Sequence, residues 1–160
     1  MRAALIGIAI AALGISVGWS KHWESPKMGS ARPNSINAVS RPTKVSGEGV
    51  ATPSGVRYWD IQTGKGDPAT SGHAVKVYYR AWIESGKEFA SSTADGRLPI
   101  ITLGIGQVVR GWEEGMIGMK VGGTRQLKIP PGMAYGAAGA PPDVPPNATL
   151  IFDVVLIDLQ

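Results

Sequence analysis

The residue types that carry out most enzyme chemistry are scarce in this sequence. It contains no cysteine and two histidines, His22 and His73. Thiolate nucleophiles and thiolate metal ligands are therefore excluded, and two imidazoles are too few for a typical zinc site. A serine hydrolase needs a histidine base beside its serine, but His73 stands at the entrance of a predicted strand and is expected to face solvent. We expect neither a bound metal nor a catalytic triad.

The glycine-rich stretch "GIGQVVRG" could be mistaken for part of a dinucleotide-binding loop. The third glycine that such a loop requires is replaced by Val109, and no strand, crossover helix and second strand follow it. The sequence contains neither a phosphate-binding loop nor a metalloprotease motif. We therefore expect no cofactor.

The remaining candidates for a functional site are two aromatic side chains in unusual sequence settings. Trp112 lies in "VVRGWEEG", a short helical segment, and Tyr135 lies in "PPGMAYGAAGAPPDVPPNATL", a loop of glycine, alanine and proline. Trp112 by itself predicts a core residue, and Tyr135 predicts a loop anchor with a wet hydroxyl. Both types can also line a site for an apolar ring. Glu113 and Glu114 are expected on the solvated side of the helix.

The charge distribution argues against nucleic-acid binding. The net charge is +4, but residues 1–55 carry six basic and two acidic side chains, whereas residues 56–160 carry ten of each. The basic excess therefore belongs to the N-terminal part, and the rest of the chain is neutral. A phosphate-binding surface requires a basic patch that this balance does not supply.

Three segments follow from composition. Residues 1–20 contain an apolar run from Ala3 to Trp19, which is typical of a signal peptide or a membrane anchor. The basic residues that follow it disfavour export of the next segment. Residues 21–54 are rich in Ser, Pro and Gly and are expected to form a flexible linker. Residues 55–160 form the predicted folded domain.

The folded domain has the pattern of many strands and one helix. In "HAVKVYYRAWIESGKEF" apolar residues at alternate positions, from Val75 to Ile83, predict a half-buried strand followed by a turn and another short strand. The stretches "LPIITLG", "TRQLKIP" and "TLIFDVVLIDL" predict further strands. Only residues 109–116 favour a helix. We expect an α+β fold in which this helix covers one face of an antiparallel sheet.

Three motifs together resemble one protein family. They are "GKEFASS", "LGIGQVVRGWEEGMIGMKVGG" and "AYGAAGAPPDVPPNATLIFDVVLIDL", and in this order they resemble an FKBP-type peptidyl-prolyl cis-trans isomerase domain over about residues 55–160. The resemblance implies a five- or six-stranded antiparallel sheet wrapped around one short helix. It also implies an apolar pocket lined by Tyr79, Phe89, Val108, Val109, Trp112, Tyr135, Val144 and Phe152.

The resemblance assigns roles within that pocket. Trp112 is expected as its floor, with one face exposed to the proline ring of a substrate, and Tyr79 and Phe89 as catalytic walls. The Tyr135 hydroxyl and the Val109 backbone N–H are expected to donate to substrate carbonyls. Val108, Val144 and Phe152 complete the binding surface. The implied partners are proline-containing polypeptides and macrolide inhibitors such as tacrolimus.

Two positions depart from the family's usual pattern. Ala90 stands where an aspartate commonly follows the phenylalanine, and Asp143 occupies a loop position that is more often apolar. Ala90 removes an acceptor and a charge near the pocket, so weaker macrolide binding is expected. It also keeps open a second function, a catalytically weak proline-recognising chaperone or binding module. The N-terminal segment favours a location in the cell envelope or periplasm, either secreted or tethered to a membrane.

Overall fold

The computed structural model of the protein describes residues 40–92 and 98–160. Its elements, in chain order, are β1 (Val50–Ala51), β2 (Arg57–Gln62), β3 (Ala74–Ile83), β4 (Glu88–Ser91), β5 (Ile100–Thr102), α1 (Arg110–Met116), β6 (Thr124–Ile129), a 3-10 turn (Pro131–Met133) and β7 (Leu150–Leu159). The predicted signal or anchor, residues 1–20, and residues 21–39 of the predicted linker lie outside the described residues. No helix within the described ranges is long and apolar enough to cross a membrane.

The strands form one antiparallel sheet. Their order is β1-β2-β6-β7-β3-β4, and β5 pairs with β3 farther along the edge that β4 also uses. The longest strands, β3 and β7, lie side by side in the middle and pair from Val75 with Leu159 to Ile83 with Leu150. The predicted α+β class is confirmed. The described residues contain seven strands rather than the expected five or six. Two of the seven are very short, because β1 has two residues and β5 has three.

The two faces of β3 are buried to different depths by different partners. Val75, Val77 and the other residues on the predicted apolar face lie in the main core beneath α1. The opposite face was expected to be solvated, yet Tyr78 is only 3% exposed and Trp82 is completely buried. Tyr78 packs against Val155 in a small second cluster on that face. Part of the far side of the sheet is therefore also covered.

Residues 40–49, here called the N-terminal strap, pack against the sheet. Asp153, completely buried on β7, accepts hydrogen bonds from both the Thr43 backbone N–H (2.8 Å) and the Thr43 hydroxyl (2.7 Å). The Gln126 side-chain amide donates to the Thr43 carbonyl and to the other Asp153 oxygen, each at 2.7 Å. Three residues from three distant parts of the chain thus satisfy one another's polar atoms.

Further bonds continue the strap toward β1. The Trp59 indole N–H donates to the Gly47 carbonyl at 3.1 Å, and the Arg57 guanidinium donates to the Glu48 carbonyl at 2.9 Å. Val50 then pairs with Tyr58 to begin β1. Part of the segment that the sequence assigned to the linker therefore bonds to the sheet, from Thr43 to β1. Hydrogen bonds to backbone and buried polar groups hold the strap. Such contacts do not require a periodic pattern of apolar residues, so the sequence gives no sign of them.

Two glycines allow α1 to lie close to the sheet. A side chain at Gly111 would collide with the Ile129 side chain, and one at Gly115 would come within 2.8 Å of Leu127. Arg125, 4% exposed on β6, holds the other end of the helix by donating to the Gly115 carbonyl (2.8 Å) and the Ile117 carbonyl (3.1 Å). A cation near the last carbonyls of a helix also complements its dipole. The helix is thereby fixed against β6, the strand that pairs with β7.

Candidate active site

The residues that the sequence predicts for the pocket come together in one apolar cluster. Five of them are buried members of the main core: Tyr79, Val108, Trp112, Val144 and Phe152. Phe89, Val109 and Tyr135 are partly buried and pack against it. They come from strands β3, β4 and β7, from α1 and the loop before it, and from the segment between β6 and β7. The structure thus brings all eight predicted residues together, while their roles toward a substrate remain predictions.

Three aromatic rings make the wall of this cluster. The Phe152 ring lies 6.0 Å from the Phe89 ring in an edge-to-face arrangement of 87°, and 6.3 Å from the Tyr79 ring at 47°. Strand pairing places Phe152 opposite Ala81 of β3, and Phe89 lies where the register of β3 and β4 shifts, between the pairs Ala81–Ala90 and Trp82–Glu88. Tilted and edge-on rings are favoured contacts, so the wall is held by its own packing.

Trp112 lies deeper than the sequence suggested. Its side chain is 0% exposed, so the expectation of one open indole face is wrong for this structure. The close approach of α1 through Gly111 and Gly115 draws Trp112 into the core. Its indole N–H is buried and has no hydrogen-bond partner among the described residues. A ring can touch the indole only after the side chains above it shift.

The backbone N–H of Val109 is placed to donate. Val109 is the N-cap residue of α1, with φ −58° and ψ 140°, and no side chain caps the helix start. Its carbonyl accepts from Trp112 (2.9 Å) and Glu113 (3.3 Å), whereas its N–H bonds to none of the described residues. The first N–H groups of a helix are left without intrahelical partners. This donor therefore lies unused beside the aromatic cluster.

Tyr135 presents the second donor. The loop around it is braced by bonds from Gly136 N–H to the Pro131 carbonyl (2.8 Å) and from Gly139 N–H to the Tyr135 carbonyl (3.1 Å). Burial raises the pKa of the Tyr135 hydroxyl above its usual value of 10.0. The hydroxyl therefore keeps its proton at neutral pH and can donate a hydrogen bond.

Glu113 and Glu114 lie apart from the buried residues of α1, but each makes a hydrogen bond that the sequence did not suggest. Both are partly buried. Glu113 accepts from the Gly106 N–H at 2.9 Å, and Glu114 accepts from the Ser54 hydroxyl at 2.7 Å. The two carboxylates brace the loop before α1 and the turn before β2. Tertiary contacts of a polar side chain have no local sequence signal, so the helical pattern alone could not reveal them.

Two features near the site were missed by sequence reasoning. Arg125 positions α1, and its only sequence signal is an arginine at an inward-facing strand position. Lys87 forms an ion pair with Asp143, with 3.7 Å between Nζ and Oδ1. Asp143 departs from the family's usual pattern, and its ion-pair partner has no signal in the sequence, because a pair so distant along the chain depends on loop placement.

Comparison with known proteins agrees with this architecture. The family model of FKBP-type peptidyl-prolyl cis-trans isomerases matches residues 65–157. An FK506-binding protein of Neisseria meningitidis is 52% identical over 99 residues, covering 61% of this chain and 90% of that protein.

Solved structures agree as well. The crystal structure of AtFKBP13 superposes with a TM-score of 0.64 at 36% identity, covering 69% of this chain and 97% of that one. The crystal structure of FkpA from Escherichia coli gives a TM-score of 0.64 at 39% identity, and this chain spans about half of it, 51%. The fold, the ordered motifs and the match over more than half of the sequence lead to one conclusion. The chain belongs to the FKBP-type peptidyl-prolyl cis-trans isomerase family.

Proposed function

We propose that this isomerase assists protein folding by holding the twisted form of Xaa-Pro peptide bonds in the aromatic cluster. The observation that carries the proposal is the pairing of an apolar wall with two donors. Phe89, Tyr79 and Phe152 form the wall, and the Val109 N–H and the Tyr135 hydroxyl make no hydrogen bond to a described residue. An apolar cleft with a few orienting polar groups is the usual form of a small-ligand site.

Rotation about an Xaa-Pro bond requires a pocket of suitable shape rather than reactive groups. Rotation about a peptide bond faces a barrier of roughly 20 kcal/mol, because the amide loses resonance as it twists. Uncatalysed rotation at proline takes on the order of tens to hundreds of seconds, which slows folding. The planar amide has the larger dipole and gains most from water. A pocket that removes water and fits the twisted geometry lowers the barrier without moving a proton.

The two donors set the register of the bound chain. In this proposal the Val109 N–H and the Tyr135 hydroxyl donate to backbone carbonyls on either side of the proline. The proline ring then lies above Trp112 after the covering side chains shift. Glu113 and Glu114 are engaged by Gly106 and Ser54, and they take no part in the reaction.

Tyr135→Phe tests the donor. The substitution removes one hydroxyl and keeps the ring, so we expect kcat/KM for a short Xaa-Pro peptide to fall by about three- to tenfold, the value of one hydrogen bond. The free energy of unfolding should change by less than about 0.5 kcal/mol, because the hydroxyl bonds to no described residue. NMR exchange spectroscopy measures the rotation rate, and urea unfolding measures stability. Unchanged turnover would remove Tyr135 from the mechanism.

A second function, binding without efficient catalysis, is favoured by Ala90. Ala90 lies on β4 opposite Ala81 and is partly buried against the core. Its methyl group offers neither an acceptor nor a charge to a ligand or a pocket side chain. A pocket that lacks this group can still recognise proline, as a chaperone or binding module does, and can hold the twisted amide less firmly.

Ala90→Asp separates the two functions. If the missing acceptor limits this protein, the substitution should raise kcat/KM and tighten tacrolimus binding, each by about three- to tenfold, the contribution of about one added hydrogen bond. Exchange spectroscopy and calorimetry measure the two effects. Ser91→Asp, one residue along the same strand, is the control and should change neither. If the unchanged protein produces no acceleration at micromolar concentration, binding without efficient catalysis is the better description.

The proposed location rests on the N-terminal sequence. The apolar run Ala3–Trp19 supports placement in the cell envelope, by secretion or by a membrane tether. N-terminal sequencing of the mature protein together with cell fractionation tests it.

A further inference from the structure

The loop after Tyr135 holds one charged residue in a defined place. This rim loop (residues 136–147) is closed by paired bonds between Ala140 and Val144 (2.8 and 3.0 Å) and by a bond from the Asn147 N–H to the Gly136 carbonyl (2.9 Å). Val144 is 1% exposed and anchors the loop in the core. Asp143, directly before it, is therefore fixed beside a predicted pocket residue.

Lys87 is the ion-pair partner of Asp143. It lies in the turn between β3 and β4, directly before β4 and two residues before Phe89. Its Nζ is 3.7 Å from the Asp143 carboxylate, and the two side chains are 57% and 29% exposed. The ion pair thus links the segment that carries Phe89 to the loop that carries Val144.

The two partners differ in how easily they move. Asp143 has a short side chain on a braced loop, whereas Lys87 has a long and mostly exposed side chain at the outer limit of ion-pair distance. Exposed pairs of this kind contribute little to stability, so Lys87 can leave at small cost. A basic side chain of a substrate can replace Lys87 beside Asp143. An acidic side chain that approaches Lys87 is repelled by the Asp143 carboxylate, which stays in place.

We propose that Asp143 is a specificity-determining residue that favours substrates with Lys or Arg next to the proline. The inference rests on the proposed function, since it assumes that the proline binds in the aromatic cluster. It gives the isomerase a preference for basic segments of unfolded polypeptides. Lys87 moderates that preference by competing for the same carboxylate.

The test compares peptides that differ at one residue beside the proline. NMR exchange spectroscopy at low salt measures two sets of peptides. In one set the residue before the proline is Lys, Gln or Glu, and in the other set the residue after the proline is varied in the same way. We expect kcat/KM to fall from Lys to Gln to Glu by about two- to fivefold at each step in at least one set, the strength of an exposed ion pair. Salt at about 0.5 M should weaken the order, because it screens exposed charges.

Variants identify the responsible charge. Asp143→Asn should abolish the order, and Lys87→Gln should increase the preference for Lys. Glu84→Gln is the matched control, because Glu84 lies in the turn near Lys87 but pairs at 2.7 Å with Lys128 rather than with Lys87. It should leave the order unchanged. Equal rates for all peptides, or an order that survives Asp143→Asn, would overturn the proposal. If even the neutral Gln peptides are not accelerated, the proposed function itself fails.

Discussion

Trp112→Ala is expected to lower the free energy of unfolding by about 3–5 kcal/mol, the usual cost of deleting a large buried aromatic side chain. Trp112 is 0% exposed in the main core beneath the sheet, so its loss leaves a cavity that α1 cannot fill. Urea or thermal unfolding measures this effect. Turnover of Xaa-Pro peptides should also fall by at least about tenfold, because the proposed floor of the pocket disappears.

Trp82 offers a matched control for the role of Trp112 in catalysis. Both tryptophans are completely buried, and both indole N–H groups lack a partner among the described residues. Trp82 lies on the opposite face of β3, away from the aromatic cluster. Trp82→Phe and Trp112→Phe should therefore cause similar losses of stability. When both variants are assayed at a temperature well below their melting temperatures, only Trp112→Phe should have a lower kcat/KM. Equal activity in the two variants would assign Trp112 to the core alone.

Asp153→Ala is expected to destabilise the protein by about 3 kcal/mol, because hydrogen bonds to a charged group are lost and buried donors are left unpaired. Asp153 accepts two bonds from Thr43 and one from Gln126. Without the carboxylate the N-terminal strap should detach locally. Hydrogen exchange at the Thr43 amide and limited proteolysis within residues 40–49 measure that detachment.

Asp158→Ala is the control for Asp153→Ala. Asp158 lies on the same strand but is exposed, and its carboxylate bonds only the neighbouring Leu159 N–H in the described structure. It should change stability by less than about 0.5 kcal/mol and leave the strap protected. If exchange at Thr43 stays slow in Asp153→Ala, the strap is held by β1 and Trp59 rather than by the buried carboxylate.

The local elements of the fold were predictable, and the reason is periodicity. Alternating residues in β3 and β7 and the short helical pattern at 109–116 report which way side chains point along a single segment. The structure has α1 at Arg110–Met116 and β7 at Leu150–Leu159, as predicted. Periodicity contains no information about which distant segment covers a face, so the burial of Tyr78 and Trp82 was missed.

The clustering of the eight residues was predictable, and their membership of a substrate site stays a prediction. Ordered motifs identified all eight residues, and the sheet brings them together. The depth of Trp112 was misjudged, because it depends on how closely Gly111 and Gly115 let the helix approach β6. The partners of Glu113 and Glu114 were also missed, since hydrogen bonds between loops follow from folded geometry alone.

By itself the sequence indicated the family and the kind of chemistry that we propose. A chain without cysteine, with one histidine in its neutral domain and with aromatic residues in ordered motifs, points to binding and desolvation rather than to proton or group transfer. Only the tertiary structure decided how the N-terminal strap contacts the sheet, what Asp153 binds and which charge faces Asp143. Those contacts join residues far apart in the chain, as Thr43 and Asp153 show, and they exist only once the sheet has set its strand order.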